Sequence, residues 1–84
     1  MTTQALTAVL KPRQREVLDL IVKCGATNKY IAEVLGISPS TVEQHVTIIL
    51  ATLGARNRAD AVGIALREGF RTEQEEEVNK PDKR

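Results

Sequence analysis

The sequence predicts an all-α domain, and three features of its pattern indicate this. Apolar residues between positions 10 and 69 recur at the three- and four-residue spacing of amphipathic helices. No stretch shows the alternation of apolar and polar residues that is typical of a half-buried β-strand. Glycines and helix-capping residues divide the same region into four segments of helical length. With 84 residues in all, the chain is long enough for one domain with a single small core.

The first two predicted helices have clear start and stop signals. The first spans residues 12–24; it begins with a proline, whose missing N–H costs nothing in a first turn, and Gly25 follows it as a helix stop. The second spans residues 28–35, and the hydroxyl of Thr27 can accept a hydrogen bond from an N–H of its first turn. Each carries an apolar stripe, so each is expected to bury one face.

The third and fourth predicted helices are marked in the same way. The third spans residues 39–53 and follows Ser38, a residue type that caps helices well. The fourth spans residues 58–68 and follows Asn57, which together with Asp60 resembles a capping box. A glycine comes directly after each of these helices, as expected where the chain leaves a helix.

The composition divides the chain into three parts. Residues 1–9 are expected to form an N-terminal arm, residues 10–69 the folded domain, and residues 70–84 a charged tail. From position 71 onward the chain holds five acids, four bases and a single apolar residue, Val78. A segment with so little apolar surface cannot offset the entropy of ordering, so the tail is expected to be disordered.

Several classes of function are excluded by composition. Cys24 is the only cysteine and His45 the only histidine, so a disulfide within the chain or a zinc site of the usual Cys/His ligands cannot be built. Cys24 is expected to be a small buried hydrophobe. No nucleophile has a partnered base, so no catalytic residue, metal or cofactor is predicted. No apolar run approaches the roughly 18 residues of a membrane span, and we expect a cytoplasmic protein without a membrane partner.

The connection between the second and third helices carries the functional signal. Only Gly36, Ile37 and Ser38 separate them, which is short enough to set the two helices at a steep angle, as in a helix-turn-helix. The spacing predicts that one face of the third helix is buried and that the other faces outward. Short side chains able to meet base edges suit a helix in the major groove of DNA. The outward residues are Glu43, Gln44, Thr47, Ile48 and Ala51.

Five stretches in order carry a family resemblance: LKPRQREVL at 10–18, TNKYIAEVLGIS at 27–38, STVEQH at 40–45, ILATLG at 49–54 and RADAV at 58–62. Together they resemble the LuxR/GerE-type (NarL-like) helix-turn-helix domain of bacterial transcription regulators. The resemblance implies four helices, sequence-specific binding to double-stranded DNA through the third helix, and dimerisation through the last helix.

Carried over position by position, the resemblance also implies individual roles. The residues expected to contact bases are Glu43, Gln44 and Thr47. Those expected to contact the phosphate backbone are Thr27, Asn28, Lys29, Ser40, Thr41 and His45. For His45, a partly buried structural role weighs as much as a phosphate contact. Arg56 and Arg58 flank the third helix and add cations to the expected phosphate contacts.

The fourth helix carries more apolar surface than one core requires. Val62, Ile64 and Leu66 are therefore expected to form a homodimer interface. In the alternative, residues 1–9 fold over this surface. RNA polymerase or a larger regulator are the other candidate partners.

The charge balance opens a second hypothesis for the function. The net charge is +1, and residues 10–69 hold eight cations against six anions. Members of the resembled family often carry lysine where this chain has Glu43, Thr47 and Thr52. The alternative to a DNA-binding regulator is therefore a protein-interaction module with a degenerate helix-turn-helix, which dimerises with a related regulator and modulates it.

Overall fold

The computed structural model describes residues 6–70, and within that range the fold is all-α, as predicted. A short 3-10 helix spans Leu6–Val9, and four α-helices follow: α1 (Pro12–Cys24), α2 (Asn28–Leu35), α3 (Pro39–Leu53) and α4 (Arg58–Arg67). Residues 1–5 of the expected arm and 71–84 of the expected tail lie outside the described residues. Among the residues described, no helix is long and apolar enough to cross a membrane.

The helix boundaries follow local capping chemistry. The first three helices have the predicted ends, whereas α4 stops one residue early, at Arg67. Lys11 precedes α1 and offers no acceptor, so Gln14 reaches back instead: its Oε1 accepts from the N–H of Lys11 at 3.1 Å. The expected capping box of α4 is half formed. Asn57 accepts from the N–H of Asp60 at 2.8 Å, but the Asp60 carboxylate accepts from Arg56 rather than from Asn57.

The core lies around α3, which packs against the other three α-helices and the 3-10 helix. The largest fully buried side chains of the core are Val17, Leu18, Ile31, Val42 and Ile49. These residues come from α1, α2 and α3, and α4 closes the core with two buried alanines. Because α3 crosses the middle of this core, one side of α3 is buried while the other side faces solvent.

The two ends of the described chain are joined beside the core. The Glu68 carboxylate accepts hydrogen bonds from the N–H groups of Leu6 at 3.1 Å and Thr7 at 2.9 Å. Arg15 donates to the Thr7 carbonyl at 2.7 Å and stacks over the ring of Phe70, 5.2 Å from its centroid. Thr7 and Phe70 are both buried. The packed residues therefore include one from the stretch expected as an arm and one from the stretch expected as a tail.

Cys24 corrects one expectation, because its side chain is exposed rather than buried. It lies almost one turn beyond Ile21, the last buried residue of α1. Its neighbours Lys23 and Gly25 are exposed as well, so this end of α1 is left uncovered. Among residues 6–70 the thiol has one hydrogen-bond partner, the Leu20 carbonyl, to which it donates at 3.4 Å.

Candidate nucleic-acid interface

The corner between α2 and α3 is built by a left-handed glycine and a cap. Gly36 has a φ of 70°, a conformation that glycine adopts without the penalty other residues incur, and its N–H donates to the Ala32 carbonyl at 2.9 Å. The N–H of Ile37 donates to the same carbonyl at 3.1 Å. Ser38 then accepts from the N–H of Thr41 at 3.1 Å and starts α3. These contacts fix the direction in which α3 leaves the corner.

The two faces of α3 differ as the spacing predicts. Residues 42, 46, 49 and 53 are buried, with at most 8% of their surface exposed. The opposite side is exposed to solvent and defines what we call the outer face of α3. Its members are Ser40, Glu43, Gln44, Thr47, Ile48 and Ala51. No lysine or arginine lies on it, so the outer face carries one carboxylate and otherwise neutral side chains.

The outer face has a definite hydrogen-bonding character. Thr47 donates its hydroxyl proton to the Glu43 carbonyl one turn earlier, at 3.0 Å. This bond leaves the Thr47 methyl group and an acceptor lone pair for an external partner. Gln44 lies near the middle of the face, and its amide offers both a donor and an acceptor. Ile48 adds apolar surface, with 44% of its area exposed.

Five of the predicted phosphate contacts lie at the starts of α2 and α3: Thr27, Asn28, Lys29, Ser40 and Thr41. Thr27 accepts from the N–H of Tyr30 at 3.1 Å and caps α2. Lys29, in the first turn of α2, is exposed and makes no ion pair with any residue from 6 to 70. Ser40 is exposed, and the Thr41 hydroxyl lies 2.9 Å from that of Ser38. The N–H groups at a helix start attract anions, so each of these two helix starts combines hydroxyls and amides that favour phosphate binding.

Arg58 has internal partners that sequence reasoning did not find. Its guanidinium donates to the Asn28 side chain at 2.6 Å and to the Ala26 carbonyl at 2.5 Å. The two contacts tie the start of α4 to the first residue of α2 and to the loop before it, across separations of 30 and 32 residues. No local pattern marks such a pair. Arg58 and Asn28 therefore have a structural role, which is to join α4 to the start of α2. That either residue also contacts phosphate stays a prediction.

Arg56 lies in the loop between α3 and α4. Its N–H donates to the Asp60 carboxylate at 2.9 Å and, with the adjacent guanidinium, holds the pKa of Asp60 below its ordinary value. The Arg56 Nε lies 3.5 Å from the same carboxylate, but 87% of the Arg56 side chain is exposed. An ion pair this exposed contributes little to stability, so the guanidinium can exchange Asp60 for another anion.

His45 is half-buried on the flank of α3. Its Nδ1 is buried and has no hydrogen-bond partner among residues 6–70. Within the same range, no three His, Cys, Asp or Glu side chains group closely enough to hold a metal ion. The observed position suits both alternatives considered for His45, the structural role and the phosphate contact.

The three predicted interface residues of α4 do not share one surface. Val62 and Leu66 are one turn apart on the same side, whereas Ile64 lies about 200° around the helix from each of them. Leu66 is 55% exposed; Val62 and Ile64 are half-buried and packed on the core. The described part of the expected arm, Leu6–Val9, packs against α3 and leaves Leu66 uncovered. Val62 and Leu66 thus form an apolar strip on one side of α4, which is half-buried at Val62 and exposed at Leu66.

Comparisons with known proteins agree with this geometry. The sequence profile of the family described as "Bacterial regulatory proteins, luxR family" matches residues 8–65, more than half of the chain. The chain is 40% identical to the transcriptional regulatory protein TdiR of Thauera aromatica over 62 residues, which are 74% of this chain and 27% of that protein.

Two further relatives give the same result. The chain is 45% identical over 60 residues to the probable transcriptional regulatory protein NarL of Mycobacterium tuberculosis, covering 71% of this chain and 27% of that protein. It is 44% identical over 59 residues to the oxygen regulatory protein NreC of Staphylococcus aureus, covering 70% of this chain and 27% of that protein. The chain thus spans about a quarter of the length of these relatives, all of which are described as regulatory proteins. It belongs to the LuxR family of bacterial regulatory proteins and carries that family's GerE-type helix-turn-helix domain.

Proposed function

We propose that the protein is a transcription regulator that binds double-stranded DNA sequence-specifically, with the outer face of α3 in the major groove. One observation carries the proposal: α3 buries one side in the core and exposes a face of short, mostly uncharged polar side chains at a helix-turn-helix corner. A helix that is merely solvated usually exposes long charged residues. Gln44, Thr47 and Glu43 are the proposed base contacts.

Attraction to the phosphate backbone is assigned to groups beside the outer face. The proposed contacts are Thr27, Asn28, Lys29, Ser40, Thr41, His45, Arg56 and Arg58. Three of these residues are cations, and Arg58 is partly committed to internal hydrogen bonds. A single copy therefore makes few charged contacts, and two copies on one DNA site are needed for tight binding.

Two copies are proposed to pair through α4, with Val62 and Leu66 at the centre. Leu66→Asp places a charge in this strip and is expected to shift a dimer to a monomer in analytical ultracentrifugation. Val34→Asp is the matched control, because Val34 is a similarly exposed apolar residue on α2. A parent protein that is monomeric at high micromolar concentration contradicts the dimer.

Because the partner is chromosomal DNA, the proposed place of action is the bacterial cytoplasm, where RNA polymerase or a larger regulator is available as a further partner.

The proposed DNA binding is tested by selecting bound duplexes from a random pool at a stated salt concentration and then measuring the affinity of the protein for the selected duplexes. Gln44→Ala is expected to relax the preference at one position per half-site, at a cost of about 1–3 kcal/mol. Lys29→Ala is expected to weaken binding equally for all sequences and to reduce the salt slope by about one for each phosphate that Lys29 neutralises. Arg13→Ala is the charge control, because α1 packs on the buried side of α3.

The absence of cations from the outer face favours one competing function. A folded dimer that binds no duplex even at low salt supports the protein-interaction module, which pairs with a related regulator. A selected consensus with a steep salt dependence contradicts that alternative, since phosphate contacts release counterions.

A further inference from the structure

We propose that Glu43 makes this domain a reader of cytosine: its carboxylate accepts a hydrogen bond from the 4-amino group of one cytosine in each half-site. The inference rests on the proposed function and names the base that the outer face selects. Glu43 is exposed in the first half of α3, and within residues 6–70 no hydrogen bond or ion pair uses its carboxylate.

The chemistry of base edges limits what this carboxylate can face. An ionised carboxylate only accepts hydrogen bonds. In the major groove, guanine presents two acceptors and thymine an acceptor with a methyl group, whereas cytosine N4 and adenine N6 are donors. A carboxylate held against guanine O6 or thymine O4 is unpaired and repelled. Glu43 therefore rejects two of the four bases and requires an amino group.

The neighbours of Glu43 favour cytosine over adenine. Adenine is the natural partner of Gln44, whose amide donates and accepts and so matches the N6 and N7 atoms of that base together. Glu43 has no donor for adenine N7. Thr47 does not supply one, because its hydroxyl proton is already donated to the Glu43 carbonyl at 3.0 Å. One turn after Glu43, Thr47 thus offers an acceptor and a methyl group but no donor for adenine N7. With the Gln44 amide assigned to an adenine of its own, cytosine, whose amino group needs only an acceptor, is the base that the Glu43 carboxylate matches.

The same charge weakens binding to DNA in general. A carboxylate in the groove is repelled by the phosphates whichever bases are present, and no cation on the outer face compensates it. Glu43 therefore lowers affinity for every sequence and lowers it least where cytosine provides a donor. Discrimination by this residue is mostly rejection of wrong sites.

The experiment uses the full chain with Glu43→Gln, which keeps the shape and removes the charge. Glu33→Gln is the matched control, because Glu33 is an exposed acid on α2 without a partner among residues 6–70. Each protein is used to select duplexes from a random pool, and its affinity is measured for the parent's consensus. Affinity is also measured for a duplex in which the selected cytosine is replaced by an analogue that lacks the 4-amino group. Thermal melting confirms that both variants are folded.

The expected result has two parts. The parent and Glu33→Gln select cytosine at one position per half-site and lose roughly tenfold or more in affinity with the analogue. Glu43→Gln binds unrelated duplexes more tightly than the parent and loses the cytosine preference. If Glu43→Gln keeps the parent's preference, or if the analogue binds as well as cytosine, the inference is overturned while the DNA-binding function stands. If neither the parent nor Glu43→Gln binds duplex DNA at low salt, the proposed function falls, and the inference falls with it.

Discussion

Arg58→Ala separates a structural role of Arg58 from a phosphate contact. The substitution removes two charge-assisted hydrogen bonds, to Asn28 and Ala26, and leaves the Ala26 carbonyl without its partner from α4. Hydrogen bonds from a charged group contribute about 1.5–3 kcal/mol each in favourable cases, and this guanidinium is only half-buried. We expect a loss of about 2–3 kcal/mol in the free energy of unfolding, which for a domain of this size lowers Tm by roughly 10–20 °C.

The assay is thermal and urea unfolding followed by circular dichroism, together with the salt dependence of duplex binding. Arg67→Ala is the matched control: Arg67 is an exposed arginine of the same helix without a hydrogen bond or ion pair among residues 6–70. Its removal is expected to change stability by less than about 0.5 kcal/mol. Arg58→Lys is expected to recover little, since lysine lacks the planar fork that reaches two acceptors.

The two roles of Arg58 predict different results. A structural residue lowers Tm and leaves the slope of log affinity against log salt unchanged at temperatures where the variant is folded. A phosphate contact leaves Tm near that of the parent and reduces the slope by about 0.9 for each phosphate that Arg58 neutralises. An unchanged Tm with a reduced slope refutes the reasoning from the internal hydrogen bonds.

Two further predictions concern stability. Hydrogen bonds from the N–H groups of Thr7 and Leu6 hold the pKa of Glu68 below its ordinary value of 4.5. The ionised carboxylate therefore stabilises the fold above pH 4.5, and this stabilisation is lost as the pH falls through the lowered pKa. Glu68→Gln is therefore expected to lower Tm at pH 7, and its difference from the parent is expected to shrink as the melts are taken to successively lower pH below 4.5. A difference that stays equal to the one at pH 7 contradicts this. Gly36→Ala is expected to cost about 1 kcal/mol because φ is 70° there. Gly63 lies inside α4 with only the end of the flexible Arg67 side chain nearby, so Gly63→Ala is expected to stabilise the fold by about 0.5–1 kcal/mol. Urea unfolding in which both glycine substitutions change the free energy of unfolding in the same direction contradicts this comparison.

Local chemistry explains which features were predictable from sequence. Ser38 caps α3 and Gly36 ends α2 through contacts within five residues, so residue type alone marks these ends. The faces of α3 follow from periodicity, because the core contacts it along its whole length. The proposed base contacts are thus placed on the outer face by a pattern that is visible in the sequence.

Long-range contacts explain what was missed. Arg58 meets Asn28 across 30 residues, and Glu68 meets Thr7 across 61. Neither pair has a spacing that any helical or turn pattern encodes. The prediction that Cys24 is buried was wrong for a related reason. Its residue type favours burial, but whether the end of α1 is covered depends on where the other helices stop. The split of Val62 and Ile64 onto opposite flanks of α4 was predictable from their spacing alone.

Chemical-shift mapping by NMR tests most directly whether the outer face of α3 is the DNA interface. An isotopically labelled full chain is titrated with a selected duplex at low salt and again at high salt. The largest changes are expected at the backbone and side-chain amides of residues 40–51 and at the start of α2, around Lys29, and they are expected to fade as salt rises. Changes on α1 or α4 without changes on residues 40–51, or no change at low salt, contradict a DNA-reading role for α3.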